Sequence, residues 1–239
     1  MRRIALVDHT KKHKPEPGVL QAIAEAITIQ IERDFAPAWG AVPRQVTVGG
    51  AGDKIHVFDS AKQAEDFGWH YVDGKGLPYA HVFVTGSLAA DSDWLSGDAS
   101  VASTIGHEVL ELLVDPCANE YAFDKYGLLW ASEVCDPVQA DWYTIRAGGR
   151  QVPMTDFVLP AFFNWRSKGP YDHLGVLKKP FSLAKGGYSM CQTEGEEVEQ
   201  ERPRFAVKYD RAMPAARKEA KRADWGRTFW RQLALPSQP

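Results

Sequence analysis

One segment constrains this chain more than any other: Ser103-Thr104-Ile105-Gly106-His107-Glu108-Val109-Leu110-Glu111-Leu112-Leu113-Val114-Asp115-Pro116. Its apolar run predicts a helix, capped by Asp98 or Ser100 and stopped at Asp115-Pro116, because proline disfavours helical geometry in the residue before it. Residues four apart share a helix face, so His107 and Glu111 project together, one turn apart. Two donors at that spacing can grip one metal ion from a single rigid element. Glu108, beside them, can reach a water activated by such an ion. This is the logic of the H-E-x-x-H helix with glutamate in place of the second histidine. The competing reading makes His107, Glu108, Glu111 and Asp115 the solvated stripe of an ordinary amphipathic helix.

The replacement has chemical consequences. Carboxylates are accepted zinc ligands, but a second one adds negative charge around the ion and leaves its water less acidified. Zn2+ is the first expectation, and harder ions such as Mn2+ or Ca2+ become alternatives. A third ligand is required, and Glu133, Asp136 and His173 are the candidates. For the two acids the competing role is capping or salt bridging. For His173, in Tyr171-Asp172-His173-Leu174, the alternatives are a transition-state donor or a structural side chain. Tyr143 is a candidate donor to an oxyanion, or simply a packed ring. Asp115 is an alternative support for a ligand, although ending the helix accounts for it.

The rest of the chain predicts an α+β fold. Residues 4–9 read as a short strand. Leu20, Ile23, Ala24, Ile27 and Ile31 fall at helical spacing from Val19 to Phe35, with a stop near Pro37. Gln45 to Val48, Ile55 to Phe58 and the β-branched, aromatic stretch Tyr79 to Thr85 read as strands. Beyond the His107 helix the pattern turns irregular, with a strand at Trp142 to Ile145 turned by Gly148-Gly149. His56, His70 and His81 fall in or near strands, where alternation predicts packing or rim positions. His9 and His13 look solvated.

Composition shifts after Cys191. Residues 192–201 hold five glutamates and no lysine or arginine, the mark of a solvated linker. From Arg202 onward ten Lys/Arg face three Asp/Glu, and Trp225, Phe229, Trp230 and Leu233 form an apolar stripe. The expected organisation is a metal-site domain over 1–191, an acidic linker over 192–204 and a basic, partly helical tail over 205–239. The tail reads as a docked surface helix or as a contact for a partner.

Several function classes find no support. The net charge is −3, which points to neither nucleic acid nor membrane. The first apolar run is cut by Asp8, and no stretch approaches the ~20 apolar residues of a membrane helix. Gly49-Gly50-Ala51-Gly52 lacks the lysine of a P-loop and the spacing of a dinucleotide fingerprint, and no G-x-S-x-G element is present. Three cysteines, Cys117, Cys135 and Cys191, without a C-x-x-C, fit a reducing compartment, with a Cys117–Cys135 bridge as the alternative. A cytoplasmic location is expected.

The order strand, helix, strands, edge strand, metal-site helix resembles the catalytic half of a zincin. The H-E-x-x-E helix with Glu133-Val134-Cys135-Asp136 downstream resembles the gluzincin type. That resemblance implies a zincin-like fold: a small mixed sheet packed on helices, an active-site helix and an irregular C-terminal half. It implies His107, Glu111 and Glu133 as metal ligands, Asp136 as the partner of His107, and Glu108 as general base of a peptidase or amide hydrolase. It further implies that a peptide or protein substrate pairs along an edge strand at 79–85. Gly68-Trp69-His70 with Pro78 to Val84, His107 to Pro116, Glu133 to Asp136, Phe157 to Phe163, Tyr171 to Leu174 and Pro180 to Tyr188 also resemble a group of phage and prophage proteins. That second likeness implies virion association and a phage assembly partner contacted through the tail. It leaves open a non-catalytic structural role for the same fold.

Overall fold

Alternation along the first strands sets the central sheet. In β1 (Ile4–Asp8) the first three residues are buried; after it comes α1 (Val19–Ile29), whose Leu20, Ile23, Ala24 and Ile27 are buried as the spacing requires. Ile31 and Phe35 continue the buried face through a π-helical segment, Gln30–Phe35, which passes into the short α2 (Ala36–Trp39). The computed structural model describes residues 3–40, 45–61, 67–193 and 196–200.

Four strands follow: β2 (Val46–Val48), β3 (Asp53–Phe58), β4 (Gly68–Val72) and β5 (Pro78–Phe83). The sheet order is β2-β1-β3-β5-β4. The first four run parallel, and β4 pairs antiparallel with β5, with His70 opposite Ala80 and Trp69 opposite His81. After β5 come α3 (Val84–Ala89) and α4 (Val101–Val114). Ser100 caps α4, its side chain accepting a hydrogen bond from Ser103 N at 3.1 Å.

Two expectations change here. Tyr79 to Thr85 was the expected edge strand, yet β5 lies between β3 and β4, and Val84 and Thr85 already belong to α3. The edge is β4, which the sequence pattern did not mark as a strand.

The C-terminal half adds β6 (Tyr121–Phe123), β7 (Leu129–Ala131), β8 (Trp142–Ala147), β9 (Arg150–Thr155), β10 (Ser189–Thr193) and β11 (Glu196–Gln200). β8 and β9 form a hairpin, and α1 and α4 both contact β9 as well as the main sheet, so the helices lie between the sheet and the hairpin. Gly106 permits this approach: a Cβ there would stand 2.8 Å from Met154 Cε. The second sheet has the order β11-β10-β7-β6. The first part of the acidic run is therefore strand rather than linker, because Cys191 on β10 pairs with Trp130 and extends the sheet outward. The basic tail, 205–239, lies outside the described residues. The chain is thus α+β with a small mixed sheet. Among the described residues no helix is long and apolar enough to cross a membrane. Cys117, Cys135 and Cys191 are all free thiols, so the Cys117–Cys135 bridge is not formed.

Candidate metal centre

The helix that carries His107 is buried nearly all round. Of its fourteen residues only Thr104 and His107 retain more than slight exposure, and Glu108 and Glu111 are each 3% exposed. The solvated-stripe reading therefore fails, and charged groups stand inside the protein, where they require compensation.

What surrounds them comes from two other places, the segment 133–136 and β4. His107 Nε2 is 3.2 Å from Glu111 Oε1 and 3.2 Å from Asp136 Oδ1. Asp136 begins a short 3-10 turn, and the loop before it brings Cys135 against α4: Cys135 N donates to Glu111 Oε1 at 3.1 Å. From β4 comes His70, whose side chain points to the same sheet face as Ala80 and is 3% exposed. Its Nδ1 lies 3.6 Å from Glu108 Oε2 and 3.6 Å from Glu111 Oε2. Its Nε2 donates to the carbonyl of Asp115 at 2.9 Å and stands 3.6 Å from Glu133 Oε2. That donation leaves Nδ1 of a neutral ring as the free lone pair, aimed at the two glutamates of α4.

Glu133 thus enters the cluster through His70 rather than through His107, while Asp136 stands against His107. Asp115 ends α4; its backbone holds His70, and its Oδ2 accepts from Glu120 N at 2.7 Å. Gly68 makes room for Glu108, since a Cβ there would stand 2.6 Å from Glu108 Oε1. His70 is the member that sequence reasoning missed. Alternation predicts a packing or rim position for it, and only the placement of Gly68 and His70 on one face of a strand could have marked it. Tyr188 was missed too; burial, with the Asp136 carboxylate beside it, holds its phenolic proton firmly.

His173 and Tyr143 stand elsewhere, around Asp34 on the π-helical segment. Tyr143 Oη donates to Asp34 Oδ2 at 2.6 Å, and His173 Nε2 is 4.0 Å from the same oxygen. His173 stacks on Phe157 with ring centroids 5.0 Å apart. Arg33 donates twice to Asp34; burial would raise the Asp34 pKa, but the bonds from Arg33 and Tyr143 lower it.

Burial and mutual proximity make the groups of the cluster hold protons more tightly than usual. Burial would lower the pKa of His70, but Glu133, Glu108 and Glu111 outweigh it and raise it to about 10. Burial likewise opposes the charge on His107, and Glu111 and Asp136 raise its pKa well above the ordinary value. Burial raises Glu133 and Glu111. It also raises the Cys135 thiol, with Glu111 and Asp136 adding to the effect. Among the described residues the ion pairs of these four carboxylates are all to histidine.

Three buried oxygens, Glu108 Oε2, Glu133 Oε2 and Asp136 Oδ1, have no well-directed hydrogen bond. The N···O separations of 3.2 and 3.6 Å exceed the ~2.7–2.9 Å of a tight charge-assisted hydrogen bond. The 3.6 Å pairs fall within, and the 3.2 Å pairs just below, the roughly 3.3–3.6 Å edge of a tetrahedron of ligands around zinc. Two donor sets lie close enough to share an ion, His107/Glu111/Cys135 and His70/Glu108/Glu111, each with ligand atoms within 4.8 Å of one another. The residues therefore fit a divalent cation.

Compared with known proteins, the chain matches no family model, no curated protein and no solved structure.

Proposed function

We propose that this protein is a metal-dependent hydrolase of peptide or other amide bonds, built on a zincin-like scaffold. The observation that carries the reading is the set of buried carboxylate oxygens without hydrogen bonds that converge on two histidines, Asp136 Oδ1 on His107 and the Glu108 and Glu133 Oε2 atoms on His70. The order strand, helix, strands, antiparallel edge strand, interior strand, short helix, metal-site helix supports the scaffold. His107 and Glu111 would hold the ion, with Cys135 the third donor within reach and Asp136 a further donor, its Oδ1 facing the same Nε2 of His107 as Glu111 does. Nitrogen and sulfur donors favour Zn2+ over Ca2+, with Mn2+ the harder alternative. Such an ion, when bound, supplies Lewis-acid polarisation of a carbonyl and a more acidic water.

The chain's own groups supply the rest. Glu108, in the same buried cluster, accepts a proton from water and returns it to the leaving amine. His70, anchored on the Asp115 carbonyl, keeps the Glu108 carboxylate facing the cluster. Among the described residues no strand pairs with the outer side of β4, and an extended peptide would pair there, beside Gly68 and His70. Metal-loaded protein should cleave members of a quenched-fluorescent peptide library, and both a chelator and Glu108→Gln should stop it. Undiminished cleavage in Glu108→Gln would remove the assigned role. A loaded protein inert to every peptide and simple amide would contradict the hydrolase reading.

A second reading has an observation of its own. The His70 ring lies among Glu108, Glu111 and Glu133, each at 3.6 Å, where a charged imidazolium supplies positive charge without any ion. The same scaffold is then a non-catalytic structural or assembly protein of phage type, and the tail is the segment that contacts its partner. Such a protein keeps His70 charged near neutral pH when zinc is added, which NMR titration of the ring reads directly. Loss of the imidazolium signal on zinc addition would argue for the hydrolase instead.

A further inference from the structure

We propose that the centre holds two divalent cations bridged by Glu111, rather than one. This rests on the metal-dependent reading above and deepens it. The two oxygens of Glu111 face different histidines: Oε1 is 3.2 Å from His107 Nε2, and Oε2 is 3.6 Å from His70 Nδ1. Each histidine brings its own further donor, Cys135 in the first set and Glu108 in the second. A carboxylate split in this way between two donor sets is the geometry of a bridging ligand.

Charge supports a pair. Glu108, Glu111, Glu133 and Asp136 carry four negative charges when ionised, all at least nine-tenths buried. With Cys135 ligating as a thiolate the negative charges number five; one divalent ion with neutral histidines leaves three of them unbalanced in the interior, and two ions leave one. The unpartnered oxygens are distributed accordingly, with Asp136 Oδ1 on the His107 side and Glu108 Oε2 on the His70 side. His70 is preset for the role, because its Nε2 is committed to the Asp115 carbonyl and its Nδ1 faces Glu108 and Glu111. Glu133, 3.6 Å from His70 Nε2, then supports a ligand, as a carboxylate behind a metal-bound imidazole does. The pair makes Glu108 a ligand of the second ion as well as a neighbour of the reacting water.

The test is ion counting on the full chain after reconstitution with Zn2+ or Mn2+ and removal of excess. Wild type should hold two ions, and His70→Ala and Glu108→Gln should each hold one. Because a variant can fail to fold, the wild-type protein loaded with Mn2+ gives a second readout. Carboxylate-bridged ions about 3.5–4 Å apart produce an exchange-coupled electron paramagnetic resonance signal in place of the six lines of isolated Mn2+. One ion per chain with an isolated six-line spectrum overturns the pair and leaves the hydrolase reading standing. A Glu108→Gln protein with the full wild-type content also overturns the pair. No bound ion under any condition removes both.

Discussion

Replacing Gly68 by alanine tests how tightly β4 is fitted to the carboxylate of Glu108. The new Cβ would stand 2.6 Å from Glu108 Oε1, 3.1 Å from Glu108 Cδ and 3.0 Å from His81 O. Ordinary van der Waals contact begins near 3.4 Å, so Glu108 must retreat by about 0.8 Å (3.4 − 2.6) or the strand must move. Glu108 is 3% exposed, which leaves its carboxylate little room to swing aside. Overpacking of this kind costs about 1–3 kcal/mol. At about 2–4 °C per kcal/mol for a domain of this size, Tm should fall by roughly 2–12 °C. The assay is a double-mutant cycle by thermal denaturation of Gly68→Ala, Glu108→Ala and the double variant. Glu108→Ala removes the two closest Glu108 atoms and leaves only the His81 contact, so the alanine penalty should shrink by about 1 kcal/mol or more in that background. Metal affinity should also fall in Gly68→Ala alone. An equal penalty in both backgrounds, or no penalty at all, would refute the fit between β4 and Glu108.

Other consequences follow from the same geometry. In chelator, the stability of the protein should fall as pH rises from about 6.5 toward 10. The folded-state pKa of His70 is raised to about 10, so its contribution is complete below its ordinary value of 6.5 and is lost as pH climbs through 10. His107, Glu111 and Glu133 are shifted upward and act in the same direction. Zinc should flatten that decline, because a cation replaces the protons; a metal-free Tm that does not change between pH 6 and 9.5 would contradict the buried network. Tyr143→Phe removes one hydrogen bond to Asp34 and should cost about 0.5–3 kcal/mol in denaturant unfolding while leaving metal affinity unchanged. A tenfold loss of metal affinity in that variant would instead connect the Asp34 group to the metal centre.

The parts of this fold that were legible in the sequence are those whose pattern is local. Leu20, Ile23, Ala24 and Ile27 mark α1 by spacing alone, and Asp115-Pro116 marks the end of α4. β4 was not legible because Gly68-Trp69-His70-Tyr71-Val72 mixes glycine with aromatics; its pairing with β5 makes β5 an interior strand. β11 reads as solvated by composition, yet an edge strand tolerates charge that an interior strand does not. The proximity of His107, Glu108 and Glu111 follows from helical periodicity. His70 reaches the same point only through the crossing of β4 and α4, which no short-range pattern encodes. Tyr143 and His173 were chosen by residue type, and type does not distinguish the Asp34 group from the metal centre.

Calorimetric titration of Zn2+ into chelator-treated protein tests the metal centre most directly. Binding of at least one ion per chain, with release of protons from His70 and His107 and abolition of binding at the helix site by His107→Ala, is the predicted result. Heat no greater than dilution, in wild type and variant alike, would mean that the buried carboxylates are balanced by protonated histidines and that no metal centre exists.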